Sequence, residues 1–319
     1  MSVLVTGAGL IGSLTARMLA ERGEDVVLVD IRTPRTPPGD GIAFAEASVT
    51  DYDALDTIAA TRDVDAVVHT AAVLSTGMRA DPRNGLHVNL CGTANLLELA
   101  RARGFRRLVN ASSTTVLYAG FGGFPAAPIP EDAPLRLISE RQASLYAITK
   151  QATEQLCLHY RDHYGVSAVS LRFAAVLGGD RETPTSVPGR LLAKLLDAAE
   201  RGATADIDDP LLCWAGKEEF VDARDCARAL CAALAAEEPA LGVYNIVHPG
   251  QYGFDDFVET VRQVAGHFEA TVAKPPTTGF AGFPHVRPGP SSVEAAKREL
   301  GFACRHDLAE SIRYWGTAG

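Results

Sequence analysis

Short apolar runs alternate with helical patterns over the first half of the chain. The continuous apolar runs predict strands over Val3–Val5, Val26–Val29, Ile42–Phe44, Ala66–Val68, Leu108–Val109 and Ala168–Leu171. Apolar positions at helical spacing predict helices over Leu10–Arg22, Tyr52–Ala60, Pro82–Arg103 and Ser144–Tyr164. Strands that are apolar throughout and alternate with helices are typical of a parallel sheet covered on both faces. The pattern therefore predicts an α/β fold with a doubly wound parallel sheet.

The alternation of predicted strands and helices becomes less regular from about residue 178 onward. Gly120–Pro134 and Gly178–Gly189 are rich in Gly and Pro, which predicts loops at the carboxyl edge of the sheet, where ligands bind in this fold. Later helices are predicted over Arg190–Arg201, Ala223–Ala236, Phe254–Val264 and Ser291–Leu300. We expect residues 1–177 to form the main sheet domain and residues 178–319 to form mainly a smaller C-terminal substrate lobe. Some later segments are expected to return to the main sheet.

Composition narrows the class of protein. The 319 residues are 47% hydrophobic and 22% charged, as in a soluble globular protein, and the net charge of -9 comes without a Lys/Arg cluster. We therefore expect no nucleic-acid partner. No apolar run reaches the roughly 20 residues that span a bilayer. The six cysteines form no C-x-x-C motif and no zinc set, so we expect free thiols, no metal site and a cytoplasmic location.

A glycine-rich motif follows the first strand. Gly7-Ala8-Gly9-Leu10-Ile11-Gly12 is a G-x-G-x-x-G that opens a helix. Gly7 permits a tight turn, Gly9 lets the backbone approach a pyrophosphate, and Gly12 allows close packing of helix on strand. The unpaired N–H groups of the helix N-terminus, at Leu10 and Ile11, would face the phosphates. This arrangement predicts a dinucleotide site of the Rossmann type.

Asp30 closes the second strand and bears on the identity of the dinucleotide. A carboxylate at this place accepts hydrogen bonds from the adenosine ribose and repels a 2′-phosphate, which favours NAD. Arg32 and Arg35 follow closely, so NADP stays as the alternative; we favour reading them as solvated loop charges.

The helix Ser144–Tyr164 contains Tyr146 and Lys150, which lie on one face because they are four residues apart. A tyrosine with an ordinary pKa near 10 is a poor base, and lowering the pKa to 7 takes about 4 kcal/mol. An ammonium about 5 Å away contributes about 3 kcal/mol of this. The positive nicotinamide of a bound NAD would supply the rest. The pair therefore indicates an acid/base site activated by Lys150.

Hydroxyl groups cluster after the strand at Leu108–Val109, in Ser112-Ser113-Thr114-Thr115. Such groups at the carboxyl end of a strand either bind a substrate oxygen or satisfy the local backbone, and the residues alone leave both readings open.

Together these motifs resemble the extended short-chain dehydrogenase/reductase family, in its NAD-dependent epimerase/dehydratase branch. The resemblance covers nearly the whole chain. It also includes the segments Val68–Ala72, Asn89 with Gly92-Thr93, Glu131–Leu135, Leu171–Phe173, Phe220–Asp222 with Asp225, and Tyr244–Ile246.

The resemblance implies a role for each matching position. Tyr146 is the acid/base, Lys150 holds the nicotinamide ribose, and Thr114, counted from the Ser-Ser pair, binds the reacting oxygen. The implied cofactor contacts include Ser48, Val49, Ala71, Ala72 and Val176, with Ser48 in place of the family's usual acid near adenine. The helices that carry Asn89 and Tyr146 commonly form a dimer interface in this family, which implies a homodimer.

Departures from the family pattern narrow the reaction. The glycine loop is shorter than the usual G-x-x-G-x-x-G. Thr115-Val116 follow Thr114 where dehydratases carry Asp-Glu, so dehydration is not expected. Ala175 and Glu218 replace an Asn and a diphosphate-binding Arg, which argues against a nucleotide sugar unless Lys217 compensates.

We therefore expect an NAD-dependent oxidoreductase acting on a secondary alcohol or ketone of a small sugar-like or hydroxy-acid substrate. The alternatives are an NAD-dependent sugar epimerase without net redox change and a non-catalytic dinucleotide sensor. The sensor is disfavoured because Tyr146 and Lys150 are both present.

Several further residues have structural readings that compete with functional ones. His69 and Arg172 are expected to be structural, and Trp214 to fill the core rather than cap a pocket. Three further residues are expected in loops that could line a substrate pocket, where they either contact the substrate or have no functional role: Ser75, Thr76 and Arg190.

Overall fold

A computed structural model describes residues 1–34, 37–136, 138–178, 184 and 186–317, with the side chains of 316 and 317 left out. The strands in chain order are β1 Ser2–Thr6, β2 Asp25–Asp30, β3 Ile42–Glu46, β4 Val64–His69, β5 Arg107–Ser113, β6 Ala168–Phe173, β7 Ala175–Leu177, β8 Thr204–Ile207, β9 Glu218–Asp222, β10 Val243–Ile246, β11 Gln251–Tyr252 and β12 Glu269–Val272.

The α-helices in chain order are α1 Leu10–Ala20, α2 Tyr52–Thr61, α3 Ser75–Ala80, α4 Pro82–Leu86, α5 Gly92–Arg103, α6 Leu145–Tyr164, α7 Val187–Arg201, α8 Ala223–Ala235, α9 Phe254–Ala265, α10 Glu294–Leu300 and α11 Leu308–Thr317. A π turn, His87–Cys91, joins α4 to α5, and 3₁₀ turns cover Thr114–Gly120, Pro210–Leu212 and Phe280–Gly282.

Seven parallel strands form the main sheet, in the order β10-β6-β5-β4-β1-β2-β3. The order reverses direction between β1 and β4, as it does in doubly wound sheets, and the prediction of a parallel α/β Rossmann fold is confirmed. All six predicted strands lie in this sheet, and each is longer than its apolar run. The strands extend because backbone pairing continues past the apolar positions, as at Ser112 and Ser113 of β5.

The predicted helix Pro82–Arg103 is divided by the π turn, which carries the buried Asn89. The predicted helix Ser291–Leu300 begins only at Glu294, because Ser291 forms a bridge with Ile129 instead. The short strands and α11 in the second half escaped prediction. These strands have only two to five residues, which is too short to show a period, and their partners are distant in sequence.

Two smaller sheets, β11-β9-β7 and β12-β8, lie outside the main sheet. Around them a second core contains Trp214, which is 2% exposed and packs edge-on against Phe254, Phe257 and Phe280. The expectation that Trp214 fills the core is confirmed. From the C-terminal half, β10 pairs with β6 and α8 packs on α1. The domain boundary at residue 177 stays a prediction.

Within the part of the chain that the structure describes, no helix is both long and apolar enough to span a membrane.

Replacing Phe257 should test the second core. Its side chain is fully buried, with its ring centroid 5.1 Å from that of Phe220 and 5.8 Å from that of Trp214. We expect Phe257→Ala to lower the free energy of unfolding by about 3–5 kcal/mol, because it removes aromatic contacts and leaves a cavity. Urea denaturation measures this change. The control Leu241→Ala alters a side chain that is 40% exposed and should change stability by less than about 0.5 kcal/mol. Equal losses in both variants would contradict this account of the core.

Candidate active site

The glycine-rich turn between β1 and α1 has room where a phosphate would approach. Gly7 has φ +90°, and a Cβ there would lie 2.7 Å from the backbone nitrogen of Ala71. A Cβ on Gly12 would overlap the carbonyl oxygen of Gly7, so this glycine is needed for packing. A Cβ on Gly9, the N-cap of α1, would meet nothing within 4 Å. The open cradle faces unpaired N–H groups of the helix N-terminus, which fits a dinucleotide pyrophosphate.

Asp30 lies at the carboxyl end of β2 and is held against the glycine turn. Its Oδ2 accepts a hydrogen bond from the backbone nitrogen of Ala8 at 2.7 Å, and its Oδ1 accepts one from that of Arg32 at 3.2 Å. A carboxylate in this place suits ribose hydroxyls and repels a 2′-phosphate. Arg35, weighed as a possible phosphate ligand, lies outside the described residues.

The other predicted cofactor residues lie along the carboxyl edge of the sheet. Leu10 and Ile11 form the first turn of α1, Ala71 and Ala72 follow β4, and Val176 lies in β7 just beyond β6. Ser48 and Val49 follow β3; Val49 is buried, and the hydroxyl of Ser48 lies 2.8 Å from that of Thr50. The structure thus brings these positions to one edge. Their contacts with a cofactor stay predictions.

Tyr146 and Lys150 lie on the first turns of α6. Ser144 caps this helix by accepting a hydrogen bond from the backbone nitrogen of Ala147 at 3.1 Å. The ammonium of Lys150 lies 5.6 Å from the centre of the Tyr146 ring and donates to the carbonyl oxygen of Ala111 at 2.6 Å. The helix and strand β5 therefore hold the two side chains together, as the four-residue spacing predicts.

The acidities of this pair differ from the sequence-based expectation. Burial raises the pKa of Tyr146 to about 12, and its interaction with the Ser113 hydroxyl opposes that rise. Burial also lowers the pKa of Lys150 to about 8, although the nearby Glu154 carboxylate favours its charged form. In the chain without a cofactor, burial is the larger of these effects on Tyr146. The expectation that Lys150 and a bound NAD together lower the pKa of this tyrosine stays a prediction.

Ser113, not Thr114, is the hydroxyl that the structure places beside Tyr146. Thr114 is 1% exposed, and its side chain interacts instead with the phenol of Tyr118. Strand β5 continues to Ser113, and the backbone turns into a 3₁₀ segment at Thr114, which carries that side chain away. Thr114 was assigned by counting from the Ser-Ser pair of the family pattern, whereas the geometry favours Ser113 for the same role. Which of the two hydroxyls binds the reacting oxygen stays a prediction.

A buried ionic network fastens α6 to the sheet. The carboxylate of Glu154 accepts a hydrogen bond from the hydroxyl of Ser112 at 2.5 Å and forms a two-pronged pair with Arg172, at 3.0 Å and 2.7 Å. Glu154 lies four residues after Lys150, on the same helical face. This network holds the Tyr146/Lys150 helix against β5 and β6. Arg172 has the structural role expected of it.

His69 bridges two buried hydroxyls. Its Nδ1 lies 2.7 Å from the hydroxyl of Thr6 and its Nε2 lies 3.0 Å from that of Thr93. Burial, with a smaller effect of Lys150, lowers the pKa of His69 to about 3, so the ring is neutral. A ring with this pKa takes up no second proton near neutral pH, and both of its nitrogens are engaged by hydroxyls, which agrees with a structural role.

A second buried ionic cluster packs against the 3₁₀ turn Thr114–Gly120, called here the hydroxyl turn. The guanidinium of Arg287 donates from Nε to Glu218 at 2.7 Å, and its Nη1 lies 2.9 Å from a Glu219 oxygen. It also stacks over the rings of Tyr118 and Phe121, at 5.6 Å and 4.9 Å from their centres. Burial raises the pKa of Glu219. Two carboxylates therefore share one buried cation.

Sequence reasoning missed Glu154 and Arg287, and it included Ser113 only as one member of the Ser112–Thr115 hydroxyl cluster. Glu154 had a visible signal, since it lies four residues after Lys150 on the predicted helix. Arg287 had none, because it comes from a loop with no period and meets Glu218 across 69 residues.

The chain is similar to known enzymes over its full length. The model of the NAD dependent epimerase/dehydratase family matches residues 3–246. A UDP-glucose 4-epimerase of Corynebacterium glutamicum is 28% identical, over 98% of this chain and 93% of the relative. The UDP-glucose 4-epimerase of Thermus thermophilus, solved in complex with NAD, is 26% identical with a TM-score of 0.75, covering 100% of both chains. The L-threonine dehydrogenase of Clostridium difficile shares the fold, with a TM-score of 0.80, 22% identity and coverage of 98% and 96%.

Two glycine variants should separate cofactor binding from packing. We expect Gly9→Ala to leave stability unchanged, since its Cβ has open space in the structure, but to weaken NAD binding by about tenfold or more. Gly12→Ala should lower the stability and also weaken NAD binding, because the added Cβ overlaps the carbonyl oxygen of Gly7. Isothermal titration with NAD and thermal unfolding measure the two effects. Unchanged NAD affinity in Gly9→Ala would show that NAD does not bind at this turn.

Lys150 should reduce stability at neutral pH. Its folded pKa of about 8 lies below the ordinary 10.5, so the unfolded chain holds the proton more tightly. The resulting penalty is complete below pH 8 and fades as the pH rises toward 10.5. We expect Lys150→Met to raise the free energy of unfolding by about 1–3 kcal/mol at pH 7, with a gain that shrinks at alkaline pH.

Urea denaturation at several pH values measures the effect of Lys150→Met, and Lys217→Met, at an exposed position, is the control. If the gain in the free energy of unfolding did not vary with pH, the pKa of Lys150 would not be lowered in the folded chain.

Proposed function

The chain belongs to the NAD-dependent epimerase/dehydratase family, and from that premise we propose that it transfers hydride between NAD and a secondary alcohol or ketone of a small sugar-like or hydroxy-acid substrate. The family consists of NAD-dependent enzymes of the extended short-chain dehydrogenase type. The observation that carries the chemistry is the grouping of Ser113, Tyr146 and Lys150 at the carboxyl edge of β5.

Each of these side chains has a distinct task in the proposed reaction. Ser113 and Tyr146 hold the substrate oxygen between their hydroxyls, and the phenolic oxygen of Tyr146 takes the proton of the alcohol. Gly7, Gly9, Gly12 and Asp30 would hold NAD, which supplies the hydride acceptor and a positive charge when bound. The ammonium of Lys150 lies near the phenol of Tyr146. Its hydrogen bond to the carbonyl oxygen of Ala111 holds the ammonium in that position. In the reduction direction, Tyr146 returns the proton.

The buried cluster around Arg287 supports the proposed substrate class. This side chain is fully buried, and its charge is taken up by Glu218 and Glu219. A diphosphate would find no available charge in this cluster. Glu218 was expected to repel a diphosphate directly. It is instead 2% exposed and acts by occupying Arg287, while the neighbouring Lys217 is exposed. We therefore favour a small substrate without a diphosphate.

Epimerisation of a nucleotide sugar is the second candidate. It is supported by the UDP-glucose 4-epimerases, which match nearly the whole chain at 28% identity. Dehydration is not supported. With Ser113 as the reacting-oxygen ligand, the next positions are Thr114 and Thr115, and neither offers a carboxylate. A non-catalytic sensor would have no use for the preserved Tyr146 and Lys150.

A homodimer and a cytoplasmic location belong to the same proposal. The apolar side chains of Leu145 and Ile148 are 37% and 43% exposed on α6, one of the helices implied in pairing. The cysteines are all unpaired, which suits a reducing compartment.

A substrate panel with the Tyr146→Phe variant should test the reaction. The panel holds NAD with UDP- and GDP-sugars, free sugars, uronic acids and β-hydroxy acids, followed by NADH absorbance and product chromatography. We expect net NADH from a free polyol or hydroxy acid. Tyr146→Phe should keep NAD affinity and lose at least about 10³-fold in kcat, because phenylalanine lacks the hydroxyl that takes the proton in the proposed reaction. A new isomer from a nucleotide sugar without NADH would establish the epimerase instead. Wild-type rates in Tyr146→Phe would refute the proposed mechanism.

A further inference from the structure

Two histidines lie side by side near the C-terminal end of α6. His159 and His163 are four residues apart, so they share one face of the helix. Their ring centres are 4.4 Å apart, the ring planes form an angle of 39°, and both side chains are exposed. The pair lies outside the Tyr146/Lys150 site, which occupies the first turns of the same helix. Its arrangement therefore has no explanation in the proposed reaction.

The imidazole nitrogens of this pair are free to bind a ligand. Within the part of the chain that the structure describes, no hydrogen bond or ion pair engages either ring. Other histidines differ in this respect. Both nitrogens of His69 are engaged by hydroxyls, and Nε2 of His267 lies 3.2 Å from a carboxylate oxygen of Glu269. A neutral imidazole with a free nitrogen is a common ligand of zinc, copper and nickel in proteins.

The distance between the two rings suits a chelate. Two nitrogens that each lie about 2.1 Å from one metal ion are at most about 4.2 Å apart. Ring centres at 4.4 Å reach this arrangement by rotation about side-chain torsions, which is open to both rings because they are exposed. Helices in zinc proteins present two histidines at this spacing on one face. Because one helix holds both ligands, binding to the second imidazole is intramolecular and adds to the affinity.

The charges around the pair also favour a cation. The helix ends at Tyr164, so the pair lies in its last turns, where the negative end of the helix dipole favours positive charge. The carboxylate of Asp162, between the two histidines in sequence, is exposed. The neighbouring cation, Arg161, donates from Nη2 to the carbonyl oxygen of Ala240 at 3.0 Å, so its guanidinium is engaged by the segment that follows α8.

We propose that His159 and His163 bind one divalent transition-metal ion of the class that imidazole ligates, which includes Ni²⁺, Zn²⁺ and Cu²⁺, with water in the remaining positions. The protein supplies two ligands, since among the described residues no group of three or more His, Cys, Asp or Glu side chains could hold a metal ion. This proposal departs from the expectation of no metal site, which rests on the absence of structural zinc motifs. It is independent of the proposed function, because His159 lies about 20 Å along the helix from Tyr146.

Calorimetric titration of the full-length chain with Ni²⁺ tests the site, and the chain must be untagged because tag histidines bind the same ion. We expect one Ni²⁺ per chain and no binding of Mg²⁺, which prefers oxygen ligands. His159→Gln and His163→Gln should each weaken Ni²⁺ binding at least about tenfold, because a single imidazole remains. His267→Gln is the matched control. It removes an exposed histidine that lies beside a carboxylate instead of a second imidazole, and it should change the affinity by less than about twofold.

An exchange of two neighbouring residues separates chelation from the number of histidines. The double variant His163→Tyr with Tyr164→His keeps the composition but places the two imidazoles five residues apart, off a common helical face. We expect this variant to bind Ni²⁺ at least about tenfold more weakly than the wild-type chain. Ni²⁺ should raise the melting temperature of the wild-type chain, because the ion binds the folded helix, and should not raise that of the double variant.

The outcomes decide the proposal without any measurement of turnover. Undiminished Ni²⁺ affinity in His159→Gln or in the double variant would overturn the site, and so would equal binding of Mg²⁺ and Ni²⁺ to the wild-type chain. An equal loss of affinity in His267→Gln would also overturn it, because binding would then follow the number of exposed histidines instead of their spacing.

Discussion

The attachment of α6 to the sheet is the constraint on which the rest of the site depends. Glu154 is a buried carboxylate, and burial of an unpaired charge would be strongly unfavourable. It is compensated by Arg172 from β6 and Ser112 from β5, so the helix has one position in which its charge is satisfied. Tyr146 and Lys150 lie on the same helix, two turns and one turn earlier. Their distance from Ser113 is therefore set by an ion pair that takes no part in the reaction.

The buried cluster around Arg287 depends on charge compensation in the same way. Arg287 comes from a loop and would be costly to bury alone, but Glu218 and Glu219 supply its counter-charge. Its guanidinium lies over Tyr118, which belongs to the turn that follows Ser113. A charged loop and the hydroxyl turn are thus packed as one unit. Because the cation is used internally, its charge is already compensated without a ligand, which is the basis of the proposal of a substrate without a diphosphate.

The sequence predicted the parts of the molecule whose signals are periodic or local. Six strands of the sheet, the glycine turn and the facing of Tyr146 and Lys150 follow from spacing alone. The choice between the hydroxyls of Thr114 and Ser113 does not follow from spacing, because the backbone course at the end of β5 decides which of them lies beside the tyrosine. Pairing with β6 extends this strand through polar residues, and apolar patterning does not detect that. Arg287 and Glu218 were out of reach for a related reason, since they meet only through tertiary packing.

The division between predictable and unpredictable parts has a physical basis. Binding of a dinucleotide uses backbone atoms at a strand–helix turn, so it leaves a mark in the local sequence. Side chains that come from separate segments, such as Arg287 and Glu218, leave no such mark, because only the fold brings them together. The acidities behave in the same way, since burial raises the pKa of Tyr146 while the four-residue spacing from Lys150 suggests the opposite. The reaction class can therefore be derived from motifs, whereas an inference about the substrate depends on charges that only tertiary packing brings together.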